Sequence, residues 1–253
     1  MSTAPTEFDT LADLFLDDAA LGVSSTRIGP AAPIPDDQTA ARKSPPPQLA
    51  QAPSVKASIE ALVLGHLPVL ASTWVVPYAR QRSIELGRPV GLIRIGDGNV
   101  SIDLVAATNS ELPELNHTPS TLDAAIMAVG PRVGAWIMRV SEVAEPETIA
   151  SDAVQAITLL TGADEAATVA SYRTLKNLPS RPDGPSIRIA IMGSSPEIAA
   201  AAESRIRHAA RAYLETELEP ATFIPKVVSG GLRTLHSGDF DWTLTRLLTT
   251  LKT

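Results

Sequence analysis

At 253 residues and 26.6 kDa the chain can bury one sizeable core, and 44% hydrophobic against 19% charged residues suits a globular protein. A formal charge of -7 and a pI near 5.1 argue against broad contact with a nucleic-acid backbone, which needs clustered Lys and Arg. The absence of cysteine excludes disulfides, zinc ribbons, iron–sulfur clusters and a thiol nucleophile together. Aromatics are only 4%, so the expected core is aliphatic. The N-terminus is acidic, without the basic start and apolar run of a secretory signal, and no stretch approaches about eighteen uninterrupted apolar residues. These features predict a protein without a transmembrane segment, in the cytoplasm.

Three segments follow from composition. Residues 1–22 contain Glu7-Phe8-Asp9-Thr10-Leu11-Ala12-Asp13-Leu14-Phe15-Leu16, in which Phe8, Leu11 and Phe15 recur at helical spacing with acids between them. Phe8, Leu11, Leu14 and Phe15 thus form the apolar face of a short acidic helix suited to a groove on another protein; the competing reading folds it back on its own domain. Residues 23–55 are rich in Pro, Ala, Ser and Gln, with Pro45-Pro46-Pro47 near the end, and read as a flexible linker. Residues 56–253 carry alternating strand and helix patterns.

In order, these are a strand over Ala61–Leu64, a helix over Ser72–Leu86 capped at Ser72 or Thr73, and a strand over Val90–Ile95. Pro77 falls beyond the first turn of that helix and predicts a kink, and Gly87 suits its C-cap. Asn99–Val105 reads as a third extended piece or a helix start, Leu122–Val129 as a helix and Ala135–Val140 as a strand. Then come a strand at Ala156–Leu160, a helix at Asp164–Leu178 and a strand at Ile187–Met192. Ser195 and Pro196 start a helix running to about Leu214, followed by a strand at Leu218–Ile224 and a helix at Trp242–Leu251. The alternation predicts an α/β, three-layer, doubly wound fold with a mostly parallel sheet covered on both faces.

Three stretches resemble MinD/ParA-type ATPases in matching order. They are Ser72–Val105, with its Glu85-Leu86-Gly87-Arg88-Pro89-Val90 passage; Ile157–Leu178; and Ile189–Ile224, closing on Phe223-Ile224-Pro225. The resemblance spans roughly residues 58–240 and implies a P-loop nucleotidase-type sheet. The phosphate-cradling pattern G-x-x-x-x-G-K-[ST] keeps its first glycine at Gly65 and its hydroxyl at Ser72, but Leu70 replaces the second glycine and Ala71 the lysine. His66 stands at the family's signature lysine, and Leu67, Pro68 and Leu70 fill positions whose bare backbone N–H groups wrap phosphate. Arg94-Ile95-Gly96 takes the place of an Asp-x-Asp arrangement, and Trp136–Glu142 offers Arg139 where a metal-organising aspartate is expected. No catalytic residue is therefore assigned.

Arg94 and Arg139, near the carboxyl ends of neighbouring strands, could accept an anion, though ion pairs with Asp97, Asp103 or Glu142 are favoured because no glycine-rich loop assists. His117, His208 and His236 lack metal-ligand spacing. The last helix is expected to pack on its own sheet, with peripheral contact to the inner membrane as the alternative. The resemblance implies an inactive pseudo-ATPase: a scaffold or adaptor in a bacterial polar, division or secretion assembly. It would bind a protein through its N-terminal helix and pair with a second copy or an intact homologue. No cofactor is expected; ATP with Mg²⁺ at a non-standard phosphate site is the alternative.

Overall fold

The computed structural model describes residues 57–66, 71–96, 98–115, 118–140, 146–179, 183–225, 230–239 and 244–252. Phe8, Leu11, Leu14, Phe15 and Leu70 lie outside them, as do Asp97, His117, Glu142 and Trp242. The described elements run β1 (Ser58–Val63), α1 (Val75–Leu86), β2 (Val90–Gly96), β3 (Asn99–Ala106), α2 (Leu122–Val129) and β4 (Ala135–Val140). They continue with α3 (Pro146–Ile149), β5 (Ala156–Thr161), α4 (Glu165–Asn177), β6 (Ser186–Met192) and α5 (Pro196–Leu214). The last are β7 (Thr222–Ile224), β8 (Gly231–Asp239) and α6 (Leu244–Lys252). The result is an α/β fold around one 8-stranded, mostly parallel mixed sheet, in the order β7-β6-β5-β1-β4-β2-β3-β8. Among the described residues, only the β2–β3 and β3–β8 ladders are antiparallel.

Local chemistry accounts for the helix boundaries. Asp164 and Ser195 cap α4 and α5 by accepting from the N–H groups of Ala167 and Ile198, and Thr121 does the same for α2 at Ala124. Gly87 ends α1 at φ 61°, its N–H returning to the carbonyl of Ile84. The start of α1 differs from the sequence expectation. A short helical turn at Ala71–Ser72 breaks, Trp74 becomes the N-cap without a side-chain bond, and Pro77 falls in the first turn. No intrahelical donor is lost there, so the expected kink has no cause.

The helices divide unequally between the two sheet faces. One face meets α2, α3, α4, α5 and α6, whose Ile126, Ile149, Leu175, Ile206 and Leu247 join Ile59, Val63, Trp136, Met138 and Ile189 in a large aliphatic core. The other meets α1, whose Val75, Tyr78 and Ala79 pack on Leu62, Leu92, Val105, Ile137 and Leu160. For α1, α3, α4 and α5, which link parallel strands, handedness explains the split. The chain travels one way from β1 to β2 and the other way from β4 through β5 and β6 to β7, and right-handed crossovers change face when the direction reverses.

The sheet also curls around α1. Eight strands about 4.8 Å apart would span about 34 Å if flat. Yet β7 and β8, at opposite ends of the order, are joined by residues 225–230 alone, which reach about 25 Å at full extension. Contacts on both flanks of α1 agree. The Thr222 hydroxyl of β7 lies 3.3 Å from Glu85 Oε1, and the Ala107 N–H at the end of β3 donates to Ser83 Oγ at 3.2 Å. A Cβ added to Gly230, before β8, would stand 3.1 Å from Arg80 Cδ.

Candidate functional site

In this sheet β1 lies between β4 and β5, so connections leave to opposite sides at its carboxyl end. Open α/β sheets bind ligands at such a crossing. The chain leaves β1 through Leu64, Gly65 and His66 and re-enters the described structure at Ala71. Gly65 has φ 65°, and a Cβ there would stand 3.1 Å from the Leu160 carbonyl oxygen, so its bare backbone is demanded by the turn itself. His66 and Ser72 are exposed, whereas Ala71 is fully buried with Leu64 and Val75 in the α1-side core. A methyl group packed in the core therefore occupies the position at which the resemblance calls for an ammonium.

Arg94 and Arg139 share the α1 face near the carboxyl ends of neighbouring strands. Arg139 stands opposite Leu62 in the β1–β4 register, and Arg94 follows the Ile93–Met138 pair of β2 and β4. Arg94 is engaged: its guanidinium pairs with Asp103 of β3, a fully buried carboxylate that also accepts from the Thr234 hydroxyl of β8 at 2.7 Å. Arg139 is half-buried. The described residues of this edge thus supply one guanidinium committed to a buried acid, a second on the same face, and an exposed histidine and serine. Among the described residues there is no group of three His, Asp or Glu placed to hold a metal. An open groove of about 490 Å³ lies elsewhere, beside β8, and its lining of Glu114, Leu115, Thr118, Pro119, Arg233, Thr234 and Leu235 includes neither arginine of this edge.

Among the described residues, a buried polar cluster lies under α1, within a core expected from composition to be aliphatic. Glu60, in the middle of β1, is 1% exposed. Its carboxylate accepts from the Tyr78 hydroxyl, from Thr158 Oγ1 at 2.6 Å and from Arg82 Nε at 3.3 Å. Tyr78 Oη also lies 3.0 Å from Thr158 Oγ1, and Arg82 pairs in addition with Glu85. Burial, then the Glu60 charge, push the Tyr78 phenol well above its ordinary value, so it stays a neutral donor. Burial opposes the Arg82 charge, but the Glu60 carboxylate beside it, with Glu85, outweighs that and holds the guanidinium above its ordinary range. A buried acid is tolerable when each lone pair finds a donor, which this arrangement approaches.

The sequence carried a signal for this cluster. Tyr78 and Arg82 are four apart and so share a helix face, and Glu60 interrupts an otherwise apolar strand. Starting the strand at Ala61 left that acid outside it. Among the described helices none is long and apolar enough to cross a membrane. No family model matches this chain, and no curated protein does.

Proposed function

We propose that residues 56–253 are a MinD/ParA-like domain without nucleotidase activity, acting as a protein-interaction scaffold or adaptor. The carrying observation is the buried Ala71 methyl at the carboxyl end of β1, the one edge where a sheet of this order would hold phosphate. A phosphate there needs backbone N–H groups and a cation, and Leu67, Pro68, Leu70 and Ala71 supply neither glycine freedom nor charge. The central place of β1 and the mostly parallel sheet support the nucleotidase-type ancestry. In this reading the acidic segment 1–22, tethered by 23–55, recruits a protein partner, and the domain pairs with a second copy or an intact homologue.

Calorimetric titration of ATP and of ADP with Mg²⁺ into the full chain tests the core of this proposal. No saturable heat and no shift in melting temperature are expected at millimolar nucleotide. Binding tighter than about 100 μM, roughly -5.5 kcal/mol, overturns it. Deletion of residues 1–22 tests the recruiting role: partners captured by the full chain should be lost, and unchanged capture removes that role. One observation favours a second reading, a divergent nucleotide site. Arg94 and Arg139 share a face at the right edge, with Ser72 exposed at the head of α1. The Arg94–Asp103 pair weighs against it, because an incoming phosphate must compete with a buried carboxylate.

A further inference from the structure

We propose that Glu60, Tyr78, Arg82 and Thr158 form a latch that fixes α1 inside the curled sheet and thereby holds the two ends of the sheet together. The observations are independent of any nucleotide. α1 reaches β7 at one end of the sheet, where Glu85 faces Thr222, and the neighbourhood of the other end, where Ser83 accepts from Ala107 just after β3 and Gly230, just before β8, comes close to Arg80. The latch sits between these flanks and joins α1 to the middle of the sheet, to β1 through Glu60 and to β5 through Thr158. Glu85 extends it outward, accepting from Arg82 while facing Thr222, so that one chain of polar contacts runs from β1 to the sheet's edge.

Apolar contact alone would specify the position of α1 weakly. Val75, Tyr78 and Ala79 are the fully buried apolar residues that α1 contributes to this core, and aliphatic surfaces tolerate sliding. Buried hydrogen bonds do not, because a shifted helix strands a charge away from water. The latch therefore gives α1 one seat. Its opening should free α1, β7 and β8 together while leaving α4 and α5, packed on the opposite face, in place.

Native-state hydrogen exchange read by mass spectrometry on the full chain tests this. With Glu60→Gln, amides of residues 75–86, 222–224 and 230–239 should exchange roughly tenfold faster or more, the response to weakening charge-assisted hydrogen bonds. Those of 165–177 and 196–214 should change by a clearly smaller factor. Equal acceleration in both groups overturns the latch, since the cluster would then add only to global stability. Unchanged exchange over 75–86 overturns it also. If the Glu60 variant does not fold, Tyr78→Phe deletes a single hydroxyl and is judged on the same ratio between the two groups.

Discussion

Two positions along β1 invert what their neighbourhoods suggest. At mid-strand, inside an apolar run, Glu60 is buried among donors from α1 and β5. At the carboxyl end, where a nucleotidase concentrates polar groups, Ala71 is buried in aliphatic core and Gly65 answers to backbone geometry. The role of a polar residue in this chain depends on whether the fold surrounds it with partners. Resemblance to a motif marks the place, but the surroundings determine what can happen there. The middle of β1 carries a buried carboxylate with three donors, and its end holds no assembled phosphate cradle among the described residues.

The comparison breaks most sharply at Glu60. Glu60→Ala leaves Arg82 buried without its main counter-charge and should cost about 3–5 kcal/mol in urea unfolding; a cost below about 1 kcal/mol would mean the carboxylate is not seated as described. Removing Thr158 Oγ1 in Thr158→Val deletes one donor of the same cluster, and a loss of about 1–3 kcal/mol is expected. At the other end, Ala71→Lys introduces the lysine of the phosphate-cradling pattern but pushes an ammonium into the core. It should lower the melting temperature and still give no ATP heat; saturable binding in that variant would show that the loop can reopen into a cradle. Ser72→Ala lies on the exposed side and should stay within about 0.5 kcal/mol of the parent, with nucleotide titrations unchanged.

Alkaline titration separates the two positions by another route. Because the Tyr78 pKa is raised in the folded state, its contribution to stability is complete below the unfolded-state value of 10.0 and is lost as pH rises beyond it. Unfolding measured across that range should show a fall that Tyr78→Phe flattens, and an identical fall in the variant would exclude Tyr78 as its source.

Residue periodicity and punctuation were enough for most of the elements. Gly87 as the end of α1, Ser195-Pro196 as the start of α5 and the β-branched run of β6 are local features, and local sterics and hydrogen bonding decide them. The kink expected at Pro77 is absent because the first turn of α1 begins at Val75, a boundary that a residue or two of pattern cannot fix. Strand β8 has no signal of its own in the sequence. Its Gly231–Asp239 run lacks alternation, and Ser229-Gly230-Gly231 reads as a turn; its partner is β3, far earlier in the chain. The ladder even shifts register between Ile102 and Asp103, which no pattern within β8 could announce.

The candidate site divides in the same way. That residues 67–71 hold neither glycine nor lysine is written in the residues themselves, because side-chain volume and missing N–H or charge act wherever the segment lies. Pairing of Arg94 with Asp103 needed the β2–β3 register to bring the two onto one face, though both residues were already candidates. Composition, periodicity and residue chemistry are local quantities, and they suffice for an aliphatic α/β chain whose 65–72 stretch lacks the second glycine and the lysine of a phosphate-cradling pattern. Only the tertiary structure decided that the sheet curls around α1 and that Glu60, Tyr78, Arg82 and Thr158 meet there. Burial and partner choice depend on which strands become neighbours, and that is settled by packing the whole chain at once.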